Sequence, residues 1–486
     1  MNFKRSGRRM EAMRLMLLVF LLMTQCGSRA AEPFAWRGYY ITFMRTPTLG
    51  LEEWKRTIDC IEADRGNVLL LWIAGGFASK KFPVTWKYNT EHANVRRDFV
   101  GELIDYAHGK GVKVLLALTP FAYDGVNQFP IEHPELKATQ KNGQPASLSG
   151  IHCWGYNLCP SKPEAQRFML EYARELFLDF YPNADGVLLE SSDYAICFCG
   201  QCGQHYFEKE FEFVRTFSEE IWRAKPEATI VVYPHYFSGR QVPGFDVTGA
   251  RLALDPRWTL FFTPHSAHLD AELVKRARSS IFWDDSPAVG TPARIQAAAR
   301  QARQAGVNGF VPSLEAFSFR AERAEGGEQY LVGQRVKPFG LGWLRDGAMP
   351  FDELLVRVNR AAYREFSRNP ELPFETFREQ LAREWFGSAK ADAIDDLLFL
   401  HECFFAGRSW WSASAVVTPP LAREKFQNGS WKPERKTELR SRLQRIKSLA
   451  ERYANSSQPN EKEMHRIATW VLLEWNKPEF ASLLKE

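Results

Sequence analysis

The sequence predicts an α/β protein: a (β/α)8 TIM barrel over residues 31–350, followed by a helical region over 351–486. Three observations predict it. From Trp36 to about Phe317, eight short apolar runs alternate with helical patterns or long connections, over the length such a barrel needs. No glycine-rich phosphate loop follows the first run, which disfavours the rival doubly wound open sheet. After Phe351 the apolar spacing becomes helical throughout.

The runs are Gly38–Phe43, Asn67–Ile73, Val112–Leu118, Gly186–Leu189, Thr229–Tyr233, Trp258–Phe262, Ile281–Trp283 and Gly309–Val311. They are nearly continuous in apolar residues, as parallel strands buried on both faces require. Phe99, Leu103 and Tyr106 keep helical spacing between two runs, as do Phe207, Phe211, Val214 and Ile221. Gly109-Lys110-Gly111 ends one helix and opens a strand. In the C-terminal region Leu354, Leu355 and Val358 share a helix face, and so do Phe374, Phe377, Leu381 and Trp385. A basic, polar helix follows between Pro433 and Asn455.

The N-terminus reads as a secretory signal peptide over residues 1–30. A basic stretch to Arg14 precedes the apolar run Leu15–Met23, and Ser28-Arg29-Ala30 supplies small residues at the cleavage positions. The expectation is a periplasmic or secreted protein. The apolar run is well short of the ~20 residues of a membrane helix, so no membrane span is expected in the mature chain. Six of the 63 basic residues and one of the 58 acidic ones lie in 1–30, leaving 57 of each beyond it. A neutral body lacks the basic footprint of nucleic-acid binding. No dinucleotide, P-loop, H-E-x-x-H or G-x-S-x-G motif occurs, so no organic cofactor is expected and those hydrolase classes are disfavoured.

Of eight cysteines, Cys26 falls in the leader and seven remain, an odd number that cannot pair fully within one chain. Cys197, Cys199 and Cys202 form C-x-C-x-x-C directly after the fourth strand. Three thiols so close cannot each reach a separate disulfide partner without strain. As thiolates they converge naturally on a structural Zn²⁺, which takes four tetrahedral N/S ligands. The fourth ligand is assigned to Cys159, with Cys153 and His205 as alternatives. An oxidising compartment keeps disulfides open as the competing reading. Cys60 and Cys403 lie in helical patterns and read as buried small hydrophobes.

The stretch Cys197-Phe198-Cys199-Gly200-Gln201-Cys202, with Phe207 opening the next helix, resembles the zinc-binding loop of family-42 β-galactosidases. In that family the loop follows the fourth barrel strand, shortly after the acid/base glutamate, and a further cysteine comes from the loop after strand three. The resemblance implies Glu190 as acid/base, and Cys153 or Cys159 as the remaining ligand. It covers some 20 residues, and Leu189 stands where the family places Asn before its glutamate.

Catalytic groups of a TIM barrel sit at the C-terminal ends of its strands. Those ends carry Glu190 after strand four, Asp284 and Asp285 after strand seven, and Glu315 after strand eight. Glycoside hydrolysis needs two carboxyl groups flanking the scissile bond. Glu190 closes an apolar strand, where partial burial keeps a carboxyl protonated, so it is the expected general acid. Asp284 or Asp285 is its expected partner, with Glu315 the runner-up. Trp36, Trp72, Trp154, Tyr194, His235 and Trp283 lie near proposed strand ends or mouth loops, where rings stack on sugar faces and polar groups meet hydroxyls. The expectation is a glycoside hydrolase acting on an oligo- or polysaccharide. Two alternatives stand beside it: a non-catalytic carbohydrate-binding barrel, and a zinc hydrolase using Asp284, Asp285, His235 and His265.

Overall fold

Each of the eight apolar runs forms a strand of one closed barrel in the computed structural model. The structure describes residues 33–42, 49–73, 75–87, 92–123, 125–149, 154–191, 197–203, 205–233, 247–263, 271–284, 290–314, 321–323, 329–331, 349–388, 392–405, 429, 434–481 and 483. The leader segment and the expected sites Cys153, Tyr194, His235, His265, Asp285 and Glu315 lie outside them.

In chain order the strands are β1 (Trp36–Thr42), β2 (Val68–Trp72), β3 (Lys113–Leu118), a β4–β5 hairpin (Ser147–Ser149 and Trp154–Tyr156), β6 (Gly186–Leu189), β7 (Thr229–Val232), β8 (Thr259–Phe262), β9 (Ser279–Phe282) and β10 (Gly309–Phe310). A second antiparallel hairpin, β11 (Ala321–Arg323) with β12 (Gln329–Leu331), follows. All strands but the two hairpins belong to the barrel, whose neighbours are all parallel, and β10 closes on β1. The longer helices around and after it are α1 (Leu51–Ala63), α2 (Val100–Gly109), α3 (Pro163–Arg174), α4 (Tyr206–Ala224), α5 (Val247–Leu252), α6 (Ala271–Arg276), α7 (Pro292–Gln304), α8 (Leu354–Phe366), α9 (Phe374–Phe386), α10 (Asp392–Phe405), α11 (Glu434–Tyr453) and α12 (Pro459–Trp475). None of the described helices is long and apolar enough to cross a membrane.

The strands are apolar throughout because each buries both faces. Leu69, Leu71, Val114, Leu116, Val187 and Leu189 pack towards the helices, whereas Leu70, Leu115, Leu188, Val231, Phe261 and Val311 fill a separate cluster inside the barrel. Register fixes the height of each inward residue. Pairing runs Thr42–Trp72–Ala117–Leu188–Val231–Thr259–Ser279, and the Ile281–Gly309–Trp36 register, taken two residues back, brings Ser279 level with Phe34, eight residues below Thr42 on β1. That is the shear of a TIM barrel, which stacks inward residues in layers of four from alternate strands. Leu70, Leu188, Phe261 and Val311 make one layer. Tyr40, Ala117, Tyr233 and Trp283 lie above it, and Trp72, Glu190, Thr263 and Ser313 form the mouth layer.

Gly38 is required where β1 crosses β2, since a Cβ there would stand 1.7 Å from the Val68 carbonyl oxygen. Its N–H donates to the Tyr363 hydroxyl at 2.7 Å, and that hydroxyl donates to the Phe310 carbonyl at 2.8 Å. Tyr363 lies on α8, fully buried. The helical region is thereby stitched into the seam between the first and last strands. Arg360, also on α8, pairs with buried Asp64 at 2.7 Å, and Asp64 accepts the Tyr39 hydroxyl at 2.8 Å. Tyr363→Phe is expected to lower the unfolding free energy by about 2–4 kcal/mol, because two buried backbone groups lose a partner. Urea denaturation followed by circular dichroism measures this, and an unchanged midpoint would contradict the seam role.

Candidate functional site

Glu190 is the first residue past β6, and the ladder continues through it, its N–H donating to the Leu118 carbonyl at 3.0 Å. Alternation turns its side chain into the lumen, where Oε2 accepts the Tyr40 hydroxyl at 2.8 Å. That bond crosses from β1 to β6. The Tyr40 ring is held by Phe261 (centroids 6.1 Å) and the edge of Trp283 (6.3 Å, 82°). Trp72 ends β2 in the same mouth layer, buried, with Tyr123 edge-on at 5.1 Å. Thr42, Thr119, Thr263 and Ser313 bring buried hydroxyls to the strand ends. The indole N–H groups of Trp72 and Trp283 and the Thr119 hydroxyl are buried without a hydrogen-bond partner among the described residues. Each such group costs ~1–3 kcal/mol until something polar meets it. Among the described side chains of these layers, Glu190 holds the one carboxyl group. The mouth is therefore a polar, aromatic ring around one carboxyl group.

Asp284 does not join this ring. Trp283 packs inside the barrel while Phe282 packs outside it, so the next residue turns outwards. The ladder holds that phase, with the Ser313 N–H donating to the Asp284 carbonyl at 2.8 Å. The Asp284 carboxylate is 5% exposed and lies 3.5 Å from Arg294 Nη2, on the first turn of the outer helix α7. Its expected pairing with Glu190 is thus corrected, and a catalytic-metal set built on it loses one donor. Trp36 is likewise corrected. It opens β1 rather than closing it, at the opposite end of the barrel from the mouth, with Lys113 Nζ 5.4 Å from its ring. Trp154 sits on the β4–β5 hairpin in register with Ser149.

Two other buried carboxylates accept hydrogen bonds outside the mouth layer. Glu175, just beyond α3, accepts the Ser79 hydroxyl at 2.5 Å and the N–H groups of Lys80 and Lys81. Glu210 on α4 accepts the Ser191 hydroxyl at 2.9 Å, which ties the residue after Glu190 to that helix.

The four cysteines Cys159, Cys197, Cys199 and Cys202 bring their sulfurs within 4.8 Å of one another, and none is in a disulfide. Cys159 Sγ lies 3.6 Å from Cys199 Sγ and 3.5 Å from Cys202 Sγ. Ligands of tetrahedral Zn²⁺ at ~2.3 Å stand about 3.8 Å apart, so the donor set fits that ion. Backbone support is also of the expected kind: Thr139 N–H donates to Cys197 Sγ and Cys202 N–H to Cys199 Sγ, both at 3.3 Å. Ser161 Oγ lies 2.9 Å from Cys202 Sγ. Bonds from the Cys159 and Cys202 thiols hold the Cys197 thiol well below its ordinary value, so one thiolate is shared by its neighbours. His205 is outside the cluster, its Nδ1 2.8 Å from Glu208. The cluster joins the connection after β3 to the loop after β6, and Cys202 caps the entry to α4 through a bond from the His205 N–H.

Sequence reasoning missed Tyr40, Thr42, Thr119, Thr263 and Ser313. For the last four the signal was a polar residue two positions beyond an inward one at a strand's C-terminal end.

No protein-family model matches the chain, and no curated protein matches it in sequence. Among solved structures it superposes on a GH138 enzyme targeting pectin rhamnogalacturonan II with a TM-score of 0.54 at 12% identity, over 91% of this chain and 56% of that one. This chain thus spans little more than half of that protein's length. The O-GlcNAc hydrolase of Thermobaculum terrenum gives 0.45 at 12% identity, over 94% of this chain and 86% of that one. A β-N-acetylhexosaminidase from Bacteroides fragilis gives 0.46 at 11%, over 73% and 71%. At these identities the first likeness shows a shared fold, a TIM barrel used by a glycoside hydrolase.

Proposed function

We propose that the chain is an exported glycoside hydrolase acting on an oligo- or polysaccharide, with Glu190 as its general acid. One observation carries this reading: Glu190 stands in the mouth layer of the barrel, held by Tyr40 and ringed by indoles and hydroxyls. Sugars offer that ring both apolar faces and hydroxyl groups. Glu190 protonates the glycosidic oxygen as the bond to the anomeric carbon breaks. A second carboxylate then attacks that carbon or activates water. With Asp284 turned outwards, Asp285 is taken as the partner and Glu315 as its rival; both lie outside the described residues.

The four cysteines support a structural zinc that ties two mouth loops together. Zinc would supply crosslinking there and no chemistry on the substrate. The signal-peptide pattern supports export.

Paired substitutions test the carboxylate assignment. Asp285→Asn is expected to lower turnover by at least ~10²-fold on natural and activated substrates alike, as loss of a nucleophile or base should. Asp284→Asn is expected to leave turnover within a few-fold and to lower thermal stability instead. Steady-state rates with both substrate types decide. The reverse pattern would return the role to Asp284. Losses confined to Glu315→Gln would give it to strand eight.

A further inference from the structure

We propose that Tyr40 is a positioning residue: its hydroxyl selects which oxygen of Glu190 carries the proton and sets the pH at which that proton is lost. The inference rests on the general-acid reading of Glu190.

The geometry is specific. Tyr40 is 5% exposed, in the middle of β1, and its ring is held between Phe261 and Trp283. A ring held on two sides has little rotamer freedom, so its hydroxyl is a fixed point in the lumen. That point lies 2.8 Å from Glu190 Oε2. The phenol donates and the carboxyl oxygen accepts. A protonated Glu190 whose Oε2 is used this way carries its proton on Oε1. The bond therefore orients the acid as well as holding it. It also favours the carboxylate, because a donor bonds the charged oxygen more strongly than the neutral one. Partial burial of Glu190 pushes the other way. Tyr40 thus opposes burial and keeps the acid from becoming too weak to give up its proton. The phenol itself neither touches the anomeric carbon nor exchanges a proton in the step. Glu190 gives its proton to the leaving oxygen and becomes a carboxylate, and Tyr40 bonds that product more strongly than the starting acid.

Tyr40→Phe keeps the ring and its packing and deletes only the donor. Two readouts follow. The carboxyl pKa of Glu190 is read by carbon-13 NMR on protein labelled at glutamate Cδ, with the signal assigned by its loss in Glu190→Gln. It is expected to rise by about one unit in Tyr40→Phe, the worth of one net hydrogen bond. The alkaline limb of kcat/KM should move up by the same amount, measured on a glycoside with a poor leaving group that the protein cleaves, with kcat about tenfold lower and KM little changed. A merely structural tyrosine would lower the melting temperature and leave the Glu190 pKa where it was, and that result would overturn the proposal. The NMR readout needs no turnover. If Glu190→Gln keeps full activity, the general-acid reading fails. If Glu190→Gln is inactive and Tyr40→Phe leaves the pKa unmoved, the Tyr40 inference alone fails.

Discussion

Glu190→Gln is expected to lower kcat/KM by ~10²–10⁴-fold on glycosides with poor leaving groups, the range general acid catalysis supplies. The amide keeps the size of the side chain and can still accept the Tyr40 hydroxyl, but it has no proton to give. The loss should shrink sharply with activated aryl glycosides, whose leaving oxygen needs little protonation. That selectivity separates an acid from a nucleophile, because loss of the attacking carboxylate slows both substrate types. A uniform loss would reassign Glu190 to the nucleophile or base. In a structure with bound substrate, the two carboxyl groups should stand ~5–5.5 Å apart if configuration is retained and ~6.5–9.5 Å apart if it is inverted.

The second large effect is expected on stability, from the cysteine cluster. The protein as isolated should hold one zinc per chain by elemental analysis, and stripping it with a chelator should lower the melting temperature by roughly 10 °C. That figure corresponds to a few kcal/mol at the ~2–4 °C per kcal/mol of large domains. Cys202→Ser should reproduce it. Acidification should do the same, since a thiolate that takes up a proton stops coordinating. Among the described residues the cluster is linked to Glu190 through the start of α4 and the bond between Ser191 and Glu210 on that helix. Stability should therefore fall before activity does. Mass mapping that finds disulfides among Cys159, Cys197, Cys199 and Cys202, with no zinc, would contradict the metal reading.

The barrel was legible because its strands are buried on both faces, and runs such as Val68–Trp72 and Gly186–Leu189 leave little room for another element. Strand phase was harder to read. Asp284 and Asp285 are adjacent, and whether Asp284 faces the lumen depends on where Ile281 and Trp283 point, a fact of register rather than of composition. Trp36 was misplaced for a related reason. It begins β1 two residues before the first expected position, so it lies at the barrel floor. The cysteine spacing located three of the four clustered thiols. The fourth, Cys159, came from the connection after the third strand, some 40 residues away in sequence, and the structure places it in the cluster while His205 stays outside. Tyr40 gave no signal at all, since an aromatic in a buried strand reads as core, and its hydroxyl meets Glu190 only when the sheet closes. Tyr363 was hidden in the same way, on a helix whose spacing announced only an apolar face.

The most direct test of the account is hydrolysis itself. The zinc-loaded protein should be screened against a broad panel of aryl glycosides and polysaccharides, with release of reducing ends measured beside Glu190→Gln. The account expects at least one glycoside to be cleaved by the wild-type chain, with cleavage of the natural linkage lost in the variant. Saccharide binding by calorimetry without cleavage of any panel member would contradict it and favour a carbohydrate-binding barrel.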